Sequence, residues 1–307
     1  MGSMPTDPAP RPAEIETAGP GAATLARLAS TRSWRRFTTD VSGPGWVRLA
    51  DRVADPTGLD AWLAAELAGT AKGHRDLAGS LVAYRLAGSL AELAVLPLVA
   101  ERRALVLSPE GLWLSFAGGA RIEAVGLPAL TVAVLAGDAD AGRPGTVVVD
   151  GPDALHAVVA EGLVATFAGV ADAVRSRAPF GLAGIWGTLA DHLADVALRW
   201  ARDTGADPDR AWSEANALIE ALRERPEPRL RARPRRHDVT CAAGSGAFVT
   251  RGTCCLIYKG HEPAPGETGG RHDLIAAAAC TSCPLRPFDD RQALLVRYLT
   301  ERAGPGR

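Results

Sequence analysis

Five cysteines lie within 43 residues near the C-terminus, and the first 240 positions contain none. They are Cys241, Cys254, Cys255, Cys280 and Cys283. The last four form an adjacent pair and a Cys-x-x-Cys pair, separated by 24 residues. Four thiolates are a complete ligand set for a tetrahedral zinc ion or for an iron-sulfur cluster. The clustering therefore predicts a metal or redox site in the C-terminal part of the chain.

The adjacent pair Cys254-Cys255 bears on which metal is bound. Neighbouring residues of an extended chain point to opposite faces, so a single tetrahedral ion holding both sulfurs would strain the backbone. Structural zinc sites usually separate paired cysteines by two to four residues. A two-iron cluster offers two metals and accepts a less regular arrangement. The spacing favours a [2Fe-2S] cluster bound by all four residues, with zinc, a disulfide or unliganded thiols as alternatives.

Three further residues are secondary candidates for ligands. His261 and His272 lie between the two cysteine pairs, so a mixed site of Cys and His, either zinc or Rieske-like, is an alternative. Because four thiols already complete a ligand set, we expect both histidines to be solvated. Cys241 is left over, and we expect it to be a small buried hydrophobic residue instead of a spare ligand or second redox thiol.

Basic residues accompany the cysteines. Arg251 and Lys259 flank the adjacent pair, where they would attract an anionic ligand or tune the site by charge, or else be simply solvated. The segment 223–236 contains seven Arg, three Pro and two Glu. It is predicted to be a linker or an exposed basic strap, and a strap of this charge suits docking of an acidic electron carrier.

The elements that would position this site can be read from periodicity. Apolar residues at helical spacing predict a helix that ends at Pro97, and three more helices begin near 152, 182 and 208. Between residues 104 and 149, five short β-rich runs separated by turns predict a meander of up to five strands. A last helix is predicted from about 290 to 302. The fold class is therefore α+β, predominantly helical, with a central antiparallel sheet and a small C-terminal cluster-binding segment.

The composition excludes some classes of protein, and the sequence pattern divides the chain into three predicted regions. The chain has 307 residues, 47% hydrophobic and 22% charged, with a net charge of -1. These values exclude a disordered or collagen-like protein and give no reason to expect nucleic acid as a partner. We predict a disordered leader over 1–22, a mixed helical and β-meander domain over 23–236, and the [2Fe-2S]-binding segment over 237–307.

The same composition addresses localisation. The leader has no positive segment followed by an apolar run, so it does not resemble a signal peptide. Charges, Gly and Pro interrupt every hydrophobic stretch before about 18 consecutive apolar residues, and we expect no membrane span. The predicted location is the cytoplasm, where clustered thiols stay reduced and usually serve metal or redox chemistry.

Two cysteine-bearing runs resemble a known family. The run TCCLIYKG, followed later by CTSCPLR, is similar to the C-terminal signature of the FhuF-type ferric siderophore reductases. The stretch from LAGSLVAYRL to GLWLSF resembles the family's central helix and first strands, and FGLAGIWGTLADHLADVALRW resembles its Trp-Gly helix. The resemblance covers most of residues 57–300. The gap between the cysteine pairs is longer here than in the family.

The resemblance implies a function for these residues. Cys254, Cys255, Cys280 and Cys283 would bind a [2Fe-2S] cluster, which would pass one electron to the Fe(III) of an imported siderophore of the hydroxamate type. Trp186 occupies the position of the family's Trp, where its ring would contact a siderophore or pack in the core. Release of Fe(II) follows because ferrous iron suits hard oxygen ligands less well.

The sequence contains no recognisable site for a nicotinamide or flavin electron donor. No G-x-G-x-x-G element is found between a strand and a helix, so an external donor such as a ferredoxin or flavin reductase is implied. One alternative is a binding or scaffold protein stabilised by a four-cysteine zinc site. Another is a redox sensor that uses its thiols or cluster. Nothing in the sequence indicates a helix-turn-helix or another nucleic-acid-binding motif.

Overall fold

The computed structural model describes residues 19–30, 36–69, 73–261 and 270–303, without the side chains of 271–273 and 276. Most of the predicted leader, residues 1–22, lies outside the described residues. Helix α1 (Gly19–Ser30) begins inside the segment predicted as leader and buries Leu25 and Leu28 against the core. The ordered body therefore starts earlier than the sequence predicted.

Helices form most of the body. They are α2 (Leu49–Ala54), α3 (Pro56–Ala68), α4 (Arg75–Glu101), α5 (Pro152–Arg177), α6 (Leu182–Thr204) and α7 (Pro208–Arg223). The predicted start signals are confirmed: Pro152 and Pro208 lie in first turns, and the Asp207 carboxylate accepts a hydrogen bond from the Asp209 N–H at 2.8 Å. Helices α4 and α6 pack along each other in the most extensive helix contact.

The prediction that helix α4 ends at Pro97 is wrong. Pro97 lies inside the helix, which continues to Glu101 and ends with Arg102 in the left-handed conformation. The Arg102 N–H donates to the Leu98 carbonyl at 3.1 Å, and the Arg103 N–H donates to the Pro97 carbonyl at 3.2 Å. Burial of this last turn compensates for the hydrogen bond that proline removes.

The strands form two sheets instead of one antiparallel meander. The first has the order β1-β5-β4-β2 and the second the order β3-β6-β7. The strands are β1 (Arg36–Thr38), β2 (Trp46–Arg48), β3 (Ala104–Leu105), β4 (Trp113–Ala117), β5 (Arg121–Gly126), β6 (Val132–Leu135) and β7 (Thr146–Val149). The α+β class is confirmed. The single central sheet is wrong because two strands from before α4 pair with β5 and β4, and because β6 and β7 are parallel.

The hydrophobic core connects the helices and both sheets in one continuous cluster. Its largest fully buried side chains include Trp62, Phe167 and Trp186. Phe167 and Trp186 meet edge to face with ring centroids 5.1 Å apart, which joins α5 to α6. Apolar packing alone therefore accounts for the body of the protein.

The C-terminal part is built differently. Strands β8 (Arg235–Cys241) and β9 (Gly244–Thr250) form an antiparallel hairpin. A 3-10 turn (Ile257–Gly260), helix α8 (Arg271–Ala278) and helix α9 (Phe288–Ala303) follow. The last predicted helix is present as α9, whose Leu295 and Leu299 are buried against the hairpin, whereas Tyr298 is exposed. Strand β8 crosses the predicted domain boundary at 236/237.

Two helices have the length and apolar composition of a membrane span. In α4 (Arg75–Glu101), 89% of the apolar window is buried inside the protein, and in α5 (Pro152–Arg177), 50% is buried. A core helix of a soluble protein meets the same criterion, so composition alone does not assign either helix to a membrane.

Candidate metal centre

The four predicted thiol ligands lie on two loops that the fold brings close to each other. Cys254 and Cys283 each shift the pKa of the other, and Cys280 shifts the pKa values of Cys255 and Cys283. All four are free thiols. Each member of the adjacent pair is thus electrostatically linked to a member of the Cys-x-x-Cys pair. The fold brings together 254–255 and 280–283 across the long segment that separates them in sequence.

Four cysteine thiols supply the ligand set of a [2Fe-2S] cluster and, by number and chemistry, also that of a tetrahedral zinc ion. Within the part of the chain that the structure describes, no three His, Cys, Asp or Glu side chains form a group arranged to hold a metal ion. The residues that would hold a cluster are Cys254, Cys255, Cys280 and Cys283.

A backbone N–H points at one of the sulfurs. The Leu256 N–H donates to Cys254 Sγ at 3.4 Å, and the backbone of Ile257 and Leu285 acts to lower the pKa values of Cys255 and Cys283 against larger effects that raise them. Leu256 has a φ of 60°, in the left-handed region that a leucine rarely adopts. Hydrogen bonds of this kind stabilise thiolates and tune the potentials of iron-sulfur centres.

The thiols differ in acidity. The hydrogen bond with Cys283 lowers the pKa of Cys254, and the same bond raises the pKa of Cys283. The hydrogen bond with Cys280 and then burial raise the pKa of Cys255. In the metal-free chain, Cys254 is therefore the thiol whose ionisation these contacts favour, and a metal would have to displace the protons of Cys255 and Cys283.

Helix α6 anchors the loop that carries the adjacent pair. The Asp191 carboxylate, 1% exposed, accepts hydrogen bonds from the Gly252 N–H at 2.6 Å and the Thr253 N–H at 3.0 Å. The Thr253 hydroxyl donates to it at 2.5 Å. Burial raises the pKa of Asp191 to about 6, although these hydrogen bonds favour the ionised form. One buried carboxylate thus fixes the two residues that precede Cys254.

Close approach of this loop to α6 requires a glycine. A Cβ at Gly187 would lie 2.1 Å from Thr253 Cγ2, far inside van der Waals contact. The neighbouring Trp186 points the other way, is 2% exposed and packs against Phe167. The predicted contact of Trp186 with a siderophore is therefore wrong for this structure, and the alternative of core packing holds. The Trp-Gly pair combines a core aromatic residue with a docking point for the cysteine loop.

Helix α4 holds the other side of the same loop. The Ser80 hydroxyl donates to the Cys255 carbonyl at 2.8 Å. Lys259 forms an ion pair with Asp76 in the first turn of α4, and its side chain is partly buried. The ion pair with Asp76 therefore tethers the 3-10 turn to α4. The Lys259 ammonium group is already paired, which weakens its predicted role in substrate binding.

Two buried arginines hold the Cys-x-x-Cys loop by its carbonyls. Arg286 donates to the carbonyls of Ala279 and Cys280. Arg291 of α9 donates from Nε to the Thr281 carbonyl at 3.2 Å and from Nη2 to the Cys283 carbonyl at 2.8 Å. The positive ends of both side chains therefore lie within the loop that presents two of the sulfurs.

Arg251 is a third buried arginine. It is 7% exposed, its Nη1 lies 3.9 Å from Cys280 Sγ, and its guanidinium stacks over the Tyr84 ring with 4.7 Å to the centroid. Its backbone N–H donates to the Ser282 carbonyl at 2.8 Å, which joins the two cysteine loops. The prediction that Arg251 contacts a bulky chelate is wrong in this structure because the side chain faces the sulfurs and not solvent.

The remaining candidates lie apart from the thiols. Cys241 ends β8 and packs against the small cluster formed by the hairpin and α9, but it is only partly buried and not fully buried as expected. The His261 N–H donates to the Tyr258 carbonyl at 3.2 Å, and among the described residues no histidine hydrogen-bonds to the four sulfurs. The side chain of His272 lies outside the described residues.

The basic strap passes beside the site. Its residues 224–234 connect α7 to β8, and the backbone of Arg233 packs on Gly252, where a Cβ would lie 2.8 Å from the Arg233 carbonyl carbon. Arg229, Arg231 and Arg235 are exposed. The predicted exposed strap is therefore present, next to the loop of the adjacent pair.

No protein-family model matches this chain, and no curated protein is significantly similar to it in sequence. The resemblance to the siderophore reductases therefore rests on the cysteine motif and the helical stretches quoted above. The chemistry of the site has to support any functional proposal by itself.

Proposed function

We propose that this protein is a ferric siderophore reductase whose cysteines 254, 255, 280 and 283 hold a [2Fe-2S] cluster. The observation that carries the proposal is the close approach of two cysteine loops far apart in sequence: the Arg251 N–H donates to the Ser282 carbonyl at 2.8 Å, and Arg251 Nη1 lies 3.9 Å from Cys280 Sγ. The thiols supply the ligands, and the cluster, when bound, supplies one-electron transfer at a potential set by its surroundings.

The buried charges support an anionic centre at this position. Arg251, Arg286 and Arg291 are buried. Arg251 Nη1 lies 3.9 Å from Cys280 Sγ, and the other two donate to backbone carbonyls of the Cys-x-x-Cys loop. Arg251 provides the evidence for charge, because the described chain shows no carboxylate in an ion pair with it. Burying a guanidinium costs several kcal/mol unless an opposite charge compensates it. Four thiolates with two ferric ions and two sulfides carry a net charge of about minus two, which provides that compensation.

The reaction needs an electron and no acid-base catalyst. An external one-electron donor, such as a ferredoxin or a flavin reductase, is oxidised, and siderophore-bound Fe(III) is reduced to Fe(II). Oxygen chelators hold ferric iron much more tightly than ferrous iron, so the metal dissociates after reduction. We propose a hydroxamate siderophore as the substrate class and the cytoplasm as the location, where free thiols persist.

Exposed apolar side chains lie next to the ligands. Ile257 follows Cys255 by two residues, Leu285 follows Cys283 by two, and Phe288, 61% exposed, begins α9. Exposed apolar side chains mark an interaction surface where they form a contiguous patch. We propose that these residues and the arginine strap beside Gly252 receive a bulky chelate or an acidic electron carrier.

The test is a single-turnover reduction assay. Anaerobically prepared protein, reduced and freed of excess reductant, is mixed with ferric hydroxamate, catecholate and carboxylate complexes, and Fe(II) is trapped with a chromophoric chelator. We expect about one Fe(II) per cluster from at least the hydroxamate complex, and none from Cys283→Ala. A protein that holds one zinc ion would support the scaffold alternative. A loaded cluster that reduces no complex would support the sensor alternative.

A further inference from the structure

Arg251 has an environment that a structural arginine does not require. In the described part of the chain, the partners of its guanidinium at contact distance are the Cys280 sulfur and the Tyr84 ring, and no carboxylate pairs with it. By contrast, the buried Arg103 is paired with Asp138 and Asp140 at 2.6 and 2.8 Å. A buried cation without a paired anion is destabilising unless negative charge lies nearby.

The negative charge near Arg251 comes from the proposed ligands. Its Nη1 lies 3.9 Å from Cys280 Sγ, and its backbone N–H joins the loop of the adjacent pair to the Cys-x-x-Cys loop. The buried Asp191 carboxylate accepts three hydrogen bonds from Gly252 and Thr253. The guanidinium therefore lies where it would interact directly with charge on the sulfurs.

We infer that Arg251 is the fixed positive charge that sets the reduction potential of the centre bound by the four cysteines. The inference rests on the proposed function, because it requires the cluster to be present. Reduction adds one negative charge to the centre, and a buried cation 3.9 Å from a ligand sulfur stabilises the reduced form more than the oxidised form. Arg251 acts through the sulfurs, so it is a positioning residue and not a catalytic one.

The geometry explains why this role falls to Arg251. The guanidiniums of Arg286 and Arg291 are held by backbone carbonyls of the Cys-x-x-Cys loop. Arg251 instead directs Nη1 at a sulfur, and the Tyr84 face beneath it fixes the plane of its guanidinium. Its backbone also joins the two loops through the Ser282 carbonyl. A change in its charge should therefore alter the potential before it alters the fold.

The experiment is a redox titration of the full chain, followed by visible absorption and electron paramagnetic resonance. Arg251→Gln removes the charge, Arg251→Lys keeps it, and Arg229→Gln is a matched control on the exposed strap. We expect Arg251→Gln to shift the one-electron equilibrium toward the oxidised form by at least tenfold, or about 59 mV to a lower potential. Arg251→Lys and Arg229→Gln should stay near the wild-type potential.

The other outcomes are also decisive. If Arg251→Gln does not load a cluster while Arg251→Lys does, the charge serves assembly of the centre and the inference about its potential is overturned. An unchanged potential in Arg251→Gln, an equal shift in Arg251→Lys, or loss of the cluster from both variants would overturn it. Absence of a cluster from the wild-type chain would instead refute the proposed function, so the two failures are distinguishable.

Discussion

The helical body and the cysteine segment are held together by different forces. In the body, one continuous apolar core extends from α1 to α7 and includes residues of both sheets. In the cysteine segment, the second cluster consists of Val239, Phe248, Leu295 and Leu299. The loops that carry the ligands are fixed mainly by hydrogen bonds from buried polar side chains to backbone atoms.

This difference separates what forms the fold from what depends on a ligand. Apolar burial is gained whether or not a metal is bound, so the body should fold in the metal-free protein. The cysteine segment gathers thiols and arginines whose burial is costly without an anionic centre. Changes in the segment should therefore act on cofactor content, and changes in the body should act on global stability.

The largest expected effect is loss of the cofactor from a ligand variant. Cys283→Ala removes one of the four proposed ligands, and we expect iron and sulfide to fall below about a tenth of wild type. Cys241→Ala is the matched control, because this residue packs on the hairpin cluster, and it should retain full iron content. Iron retained in Cys283→Ala but lost in Cys241→Ala would show that the ligand set is wrong.

Truncation of a core side chain in the helical body should lower global stability and leave the iron content unchanged. Phe167→Ala removes a fully buried ring that meets Trp186, and we expect the free energy of unfolding to fall by about 3–5 kcal/mol. Chemical denaturation followed by circular dichroism measures this change. The iron content per folded chain should stay near wild type, and the exposed Val148→Ala on β7 should change stability by less than about 0.5 kcal/mol. If Phe167→Ala lost iron while its free energy of unfolding stayed unchanged, the proposed contrast between the helical body and the cysteine segment would be wrong.

The anchor between the two regions should depend on pH. Burial raises the pKa of Asp191 to about 6 in the folded chain, above the ordinary 3.8, so the folded state holds this proton more tightly than the unfolded state. The contribution of Asp191 to stability is therefore highest below pH 4, decreases as the pH rises from 4 to 6, and is constant above that. The shift corresponds to about 3 kcal/mol.

The metal-free chain is suited to this measurement. The free energy of unfolding of wild type and Asp191→Asn, determined from pH 4 to 8, should differ in slope across the window from 4 to 6, because the variant lacks the titrating group. Comparison of the two slopes cancels the contributions of other carboxylates. Equal slopes would show that Asp191 is ionised at an ordinary pKa.

A smaller effect is expected where the cysteine loop docks on α6. Gly187→Ala places a Cβ on Thr253 Cγ2 and should lower the free energy of unfolding by about 1–3 kcal/mol. Thr253→Ser keeps the hydroxyl that donates to Asp191 and removes Cγ2, so Gly187→Ala should cost much less in that background. Gly181→Ala is a control, because a Cβ there has open space. Additive effects in the double variant would contradict this close contact.

The sequence predicted the local features well. Helix starts at Pro152 and Pro208 and the apolar stripes follow from signals within a few residues of each other. Strand pairing was predicted less well, because the partners of β4 and β5 come from three-residue strands before α4 that carry no alternating pattern. The one-turn extension past Pro97 depends on burial of that turn, which the sequence does not display.

The surroundings of the site were largely missed. Asp191, Ser80 and Tyr84 lie on apolar helices, where a single polar residue gives no indication of the loop that it contacts. The only available signal was Gly187 four residues before Asp191, a small residue and an acid on one helix face. The sequence analysis did not single out Arg286 and Arg291, because only the tertiary structure shows that they turn inward to carbonyl oxygens.

The most direct test is the metal and sulfide content of the full chain purified without oxygen. Four thiols on two adjoining loops, with a buried arginine beside one of them, predict two irons and two acid-labile sulfides per chain, and a paramagnetic signal that appears on uptake of one electron. Zinc is measured in the same sample. One zinc ion per chain, with neither iron nor sulfide, would contradict the proposed centre and the reductase function built on it.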